Sequence, residues 1–96
     1  MVYKLEVKEE ARKKIFDSFF YYTQKVNIEV AQRFIEEVES VLSYIETFPE
    51  HFQVKYKKSR EAVFKVFPYV FIYEIIGNTV VVYMLFPTKD DPNKKP

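Results

Sequence analysis

Five cations crowd into the eleven residues from Lys55 to Lys65: Lys55, Lys57, Lys58, Arg60 and Lys65, with Glu61 the one anion among them and a local balance of +4. Such a stripe can do two kinds of chemistry. It can bind an anion, with Arg60 forking two donors onto a carboxylate or phosphate and each lysine acting as a point charge. It can also stabilise negative charge that develops in a transition state. The candidate target-binding residues are therefore Lys55, Lys57, Lys58, Arg60, Lys65 and Lys89, and the catalytic candidates are Arg60, Lys57 and Tyr73. Two plainer readings stand beside these. Lysines guard an exposed strand edge against aggregation, and Arg60 can be structural, paired with an acid such as Glu74.

Other chemistries have little to work with. Cysteine is absent, so there is neither a thiolate metal site nor a disulfide. The one histidine, His51, follows Pro49-Glu50 and reads as an ordinary loop residue. It leaves no Ser-His-Asp or Cys-His set and no metal-ligand cluster. The one glycine cannot build a phosphate-cradling loop. Neither a metal nor a cofactor is expected. Tyr21, Tyr22, Tyr69, Tyr73 and Tyr83 can stack on bases or on a partner's rings, or pack in a core with their hydroxyls at the rim.

The elements that position the stripe follow from hydrophobic period. "VYKLEV" alternates and reads as a strand. Ala11, Ile15, Phe19 and Tyr22 then fall on one helical face, with Glu9 and Glu10 at its positive end. Asn27 is the N-cap of a second helix whose apolar face is Ile28, Ala31, Phe34, Ile35, Val38, Val41, Leu42 and Ile45. Pro49 ends that helix near Thr47. Its acids, Glu29, Glu36, Glu37 and Glu39, read as the water-facing side. From Glu29 to Glu50 there are six acids against Arg33, a balance of −5, so the charge of the chain is segregated although its net value is +1.

Strands are expected near Gln53–Lys57, Ala62–Phe67, Tyr69–Ile75 and Thr79–Phe86. Gly77-Asn78 between the last two is a hairpin signal, because glycine accepts the positive φ of a tight turn. The order is β-α-α-β-β-β with one extra short strand. It predicts an α+β fold: a mostly antiparallel, twisted sheet with an N-terminal α-helical hairpin packed on one face through Ala11, Ile15, Phe19, Phe34, Val38 and Ile45. The 96 residues suit one domain, 1–96, whose polar end at 88–96 frays. No apolar run is long enough for a membrane span and no signal-peptide core opens the chain, so cytoplasm is the default location.

In this order, "YKLEV", "FFYY", "AQRFIEEVESVLSYIETFPEHF", "REAVFKVFPYVFIYEI", "TVVVYMLF" and "KDDPNKKP" resemble the RelE/ParE superfamily of type II toxin–antitoxin toxins over nearly the whole chain. The resemblance implies a twisted sheet with an α-hairpin, growth inhibition, a role in plasmid stabilisation in bacteria, and neutralisation by a cognate antitoxin. It also implies a homodimer or a toxin–antitoxin hetero-oligomer as the assembly. ParE-like members inhibit DNA gyrase, and RelE-like members cleave mRNA on the ribosome. Nuclease-type members place an arginine in the strand after the Phe-Pro-Tyr region, where this chain has Val70, Phe71 and Ile72, and a histidine after the last strand, where it has Phe86-Pro87-Thr88. These departures favour a ParE-like toxin that acts by binding. The alternatives are a RelE-type endonuclease using the cationic stripe, and a degenerate toxin kept as a binding or regulatory module.

Overall fold

A computed structural model describes residues 2–88; Lys89 and the rest of the polar end lie outside the described residues. The chain runs β1 (Lys4–Val7), α1 (Glu9–Lys25), α2 (Ile28–Thr47), β2 (Val54–Tyr56), β3 (Ser59–Val63), β4 (Tyr69–Ile76) and β5 (Thr79–Pro87). The five strands form one open sheet in the order β1-β5-β4-β3-β2. Every pairing is antiparallel except β1 with β5, which is parallel with Leu5 opposite Val80. The helical hairpin is thus the crossover from one edge of the sheet to the other.

Local signals set these boundaries. Asn27 is extended, and its side chain accepts the Val30 amide at 2.8 Å, satisfying a donor that the first turn of α2 leaves free. The helix stops at Thr47, before Phe48-Pro49. Gly77 has φ +61°, and β4 pairs with β5 directly across Gly77-Asn78. Among the described residues no helix is long and apolar enough to cross a membrane.

The core lies between the hairpin and one sheet face. Ala11, Phe34, Val38 and Ile45 are buried there against Ala62, Phe64, Phe71, Tyr73, Val80, Val82 and Leu85, with Ile15 and Phe19 partly buried beside them. The face expected from helical spacing is the one that packs, except that Ile28, in the first turn of α2, is half exposed. Phe34 sits at the centre, its ring 5.4 Å from Tyr22, 5.5 Å from Phe67 and 5.3 Å from Tyr69.

Several strand boundaries and one side chain differ from the sequence expectation. The strand expected over Ala62–Phe67 instead starts at Ser59 and ends at Val63. The amides of Lys65, Val66 and Phe67 instead turn to the Glu37 carboxylate, with shortest contacts of 2.6, 3.1 and 2.9 Å. Glu37 is therefore not a plain water-facing acid: three successive N–H groups make a nest for it, and it ties α2 to the β3–β4 loop. The first strand after Pro49 ends at Tyr56 rather than Lys57, because Lys57 turns into the left-handed region at φ 53°.

Candidate functional site

The cationic stripe does not lie on one sheet face. Lys55 is within β2, Lys57 and Lys58 make the β2–β3 turn, and all three are exposed. Lys65 lies past the other end of β3, roughly 20 Å along an extended chain from the turn. The structure gathers Lys55, Lys57 and Lys58 at one tip of the sheet and leaves Lys65 apart. The turn itself has an unusual backbone. A left-handed conformation costs a non-glycine residue roughly 1–2 kcal/mol, yet a lysine occupies it, with its ammonium 5.5 Å from the centre of the Tyr56 ring.

Arg60 follows the turn but points elsewhere. Its Nη1 donates to the Phe52 carbonyl at 2.6 Å and more weakly to the Glu50 carbonyl at 3.4 Å. Directly across the ladder stands Tyr73, fully buried, whose hydroxyl donates to the Pro49 carbonyl at 2.6 Å. Arg60 and Tyr73 therefore grip the carbonyls of the Pro49–Phe52 loop together. Glu74, the acid considered as a partner for Arg60, instead accepts the Tyr83 hydroxyl at 2.8 Å. Arg60 has a structural part, through carbonyls rather than through an acid. Replacing Arg60 with Lys keeps the charge and removes the guanidinium geometry, so it is expected to cost about 1–2 kcal/mol in a urea melt. An unchanged melting curve would show that the grip on the loop carries no stability.

Burial pushes the Tyr73 hydroxyl up to about 12, against the pull of the nearby Arg60 charge. Tyr22 is raised chiefly by burial, and Tyr83 chiefly by its hydrogen bond to Glu74. A raised folded-state pKa means that the folded protein holds the proton longer than the unfolded chain. The stability from Tyr73 is then fully present below pH 10 and is lost as pH rises through about 12. Alkaline melts should show stability falling across that window, with a shallower fall in Tyr73→Phe; an equal slope in both would contradict the assignment to Tyr73.

The sheet face away from the helices mixes apolar and charged side chains. Alternation along the strands sends Glu61, Val63, Val70, Ile72 and Glu74 of β3 and β4 to that side, opposite the core residues Ala62, Phe71 and Tyr73. Val70 and Val81 are buried outside the main core cluster. Strands β4 and β5 contain no lysine or arginine. On the hairpin, Phe16 and Phe20 are exposed and pack edge to face at 4.8 Å, with Tyr21 exposed next to them. Of the five tyrosines picked out in the sequence, Tyr22, Tyr69 and Tyr73 pack in or against the core, and Tyr21 offers its ring to solvent.

The chain matches the family described as ParE toxin of type II toxin–antitoxin system, parDE, over residues 5–92. Among solved structures it is similar to the chromosomal ParDE TA system from P. aeruginosa, with a TM-score of 0.82 at 9% identity, over 92% of this chain and 98% of that one. It is also similar to a mutant of E. coli toxin RelE in the free state, with a TM-score of 0.62 at 16% identity, over 96% of this chain and 90% of that one. No curated protein matches the sequence.

Proposed function

The chain belongs to the ParE toxin family of type II toxin–antitoxin systems, and we propose that it arrests growth by binding an essential target, DNA gyrase, until a cognate antitoxin neutralises it. The observation that carries the binding site is the β2–β3 turn. Backbone strain persists where function asks for it, and here a strained position holds Lys57 between Lys55 and Lys58 at an exposed tip. A short hairpin fixes where these charges stand, so less entropy is lost on engagement than for cations on a loose tail. Arg60 supports the tip from behind by anchoring the strand that follows it.

Action by binding, without bond cleavage, is favoured by the absence of cations from β4 and β5 and by the placement of Tyr73. Its hydroxyl is buried and committed to Pro49, and burial holds its proton in place near neutral pH. A ribonuclease reading rests on the same three lysines, which would act on RNA phosphates.

Controlled expression of the chain, followed by assays of gyrase supercoiling and of mRNA ends, separates the two. The expected result is growth arrest with inhibited supercoiling and intact mRNA. Cleaved mRNA with normal supercoiling would move the assignment to the RelE type, and unimpaired growth would leave a binding module that is no longer toxic. Replacing Lys55, Lys57 and Lys58 together by Ala should slow association with the target by about tenfold or more if the tip steers encounter, with the melting curve little changed. Undiminished toxicity would remove the tip from the site.

A further inference from the structure

A cleft of about 370 Å³ lies between α2 and the end of β3. One wall is a single helical face: Glu37, Ser40, Val41 and Tyr44 stand at i, i+3, i+4 and i+7. The opposite wall is His51 and Phe52 from the loop and Val63 and Lys65 from β3 and the residues after it. Along α2 the cleft runs from Glu37 to Tyr44, about 10 Å at the helical rise. Its volume falls in the range of ligand pockets, about 300–1,000 Å³.

Both ends are braced before any ligand arrives. At one end the Glu37 carboxylate holds the amides of Lys65, Val66 and Phe67, which pins the backbone that carries the Lys65 ammonium. At the other, His51 Nδ1 is hydrogen-bonded to the Tyr44 hydroxyl at 3.0 Å. The His51 ring packs edge to face on Tyr44 at 5.1 Å and on Phe52 at 4.8 Å. With Nδ1 engaged by Tyr44, Nε2 is the ring nitrogen left to address a ligand. Between these ends Val41 and Phe52 give apolar walls. The cleft therefore offers a cation, an imidazole nitrogen and the Ser40 hydroxyl around a surface on which a flat ring can stack. Glu37 is the one acid on the wall, and both of its oxygens are already engaged by the amides of Lys65, Val66 and Phe67.

We propose that this cleft is a nucleotide-binding site: the phosphate of a nucleoside monophosphate pairs with Lys65, and its base stacks between Val41 and Phe52 with an edge toward His51 Nε2. The ammonium selects an anion and the apolar walls select a planar ring, so neither half of the ligand suffices alone. The site is separate from the lysines of the β2–β3 turn, and its occupancy does not depend on what the toxin targets.

The test is a titration of the full chain with AMP, followed by amide chemical shifts, with adenosine and inorganic phosphate as separate arms. AMP is expected to shift the amides of Ser40, Tyr44, His51 and Val63 at millimolar concentration or below. Adenosine and phosphate should each bind about tenfold more weakly or worse, the loss that goes with one charge-assisted contact. Lys65→Ala and His51→Phe should weaken AMP by a similar factor, and Lys57→Ala should leave it unchanged; all three positions are exposed, so the fold should survive. Phosphate binding as tightly as AMP would reduce the cleft to an anion contact and overturn the nucleotide assignment. Shifts confined to the β2–β3 turn, or none at all, would overturn the site.

Discussion

Replacing Phe34 with Ala is expected to cost about 3–5 kcal/mol, the range measured for fully buried phenylalanines. Phe34 has no exposed surface, and its ring meets Tyr22 from α1, Phe67 from the β3–β4 loop and Tyr69 from β4. Removing it leaves a void bounded by three other large rings. Those rings cannot collapse into it without leaving their own contacts, so the site relaxes little. Typical domains hold only about 5–15 kcal/mol in all, so the variant should sit near the edge of folding at physiological temperature. Phe20→Ala is the matched control: Phe20 is 48% exposed, and its loss should stay within about 0.5 kcal/mol. Urea melts of the two variants decide the matter. Equal losses would mean that the aromatic centre described here is not what holds the hairpin to the sheet.

Glu37→Ala should give the second largest loss, about 2–3 kcal/mol, because hydrogen bonds to an ionised acceptor each contribute more than neutral ones. The carboxylate accepts from Lys65, Val66 and Phe67 across a sequence separation of 28 to 30 residues. Without it, three adjacent amides must turn to water or reorganise the loop, and Phe67, which packs on Phe34, loses its tether. Hydrogen exchange gives a sharper readout than stability alone. Protection of the three amides should fall in Glu37→Ala and in part in Glu37→Gln, which retains one acceptor oxygen. Unchanged protection at all three would show that the backbone of the loop holds itself in place. Freed of its tether, the Lys65 backbone should also lose its fixed position on the wall of the α2–β3 cleft, so this variant links loop order to ligand binding there.

Much of the fold was legible in the residues. Asn27 and Pro49 bound α2, Gly77-Asn78 set the last hairpin, and the 3.6-residue spacing of Ala11, Phe34, Val38 and Ile45 marked the buried face. Each of these signals is local: a cap, a fixed φ, a left-handed turn or a periodic stripe acts within a few residues, so chain order alone reveals it. The charge stripe was legible as composition, but its division was not. Arg60 and Lys57 lie three residues apart, yet one turns to the carbonyls of Glu50 and Phe52 and the other remains at the exposed tip. That choice depends on where the Pro49–Phe52 loop packs.

Tertiary structure alone decided the rest. It paired β1 with β5 in parallel, because the hairpin carries the chain across the sheet before β2 begins. It turned Glu37 from one acid among several on a polar face into the partner of three amides in the β3–β4 loop, which also cut β3 short. It brought His51, which looks isolated in the sequence, against Tyr44 and Phe52 at the head of a cleft that ends in Lys65. These contacts join segments whose residue types carry no mark of one another. A carboxylate finds an amide nest, and an imidazole finds a hydroxyl, only after helix and sheet have been packed face to face.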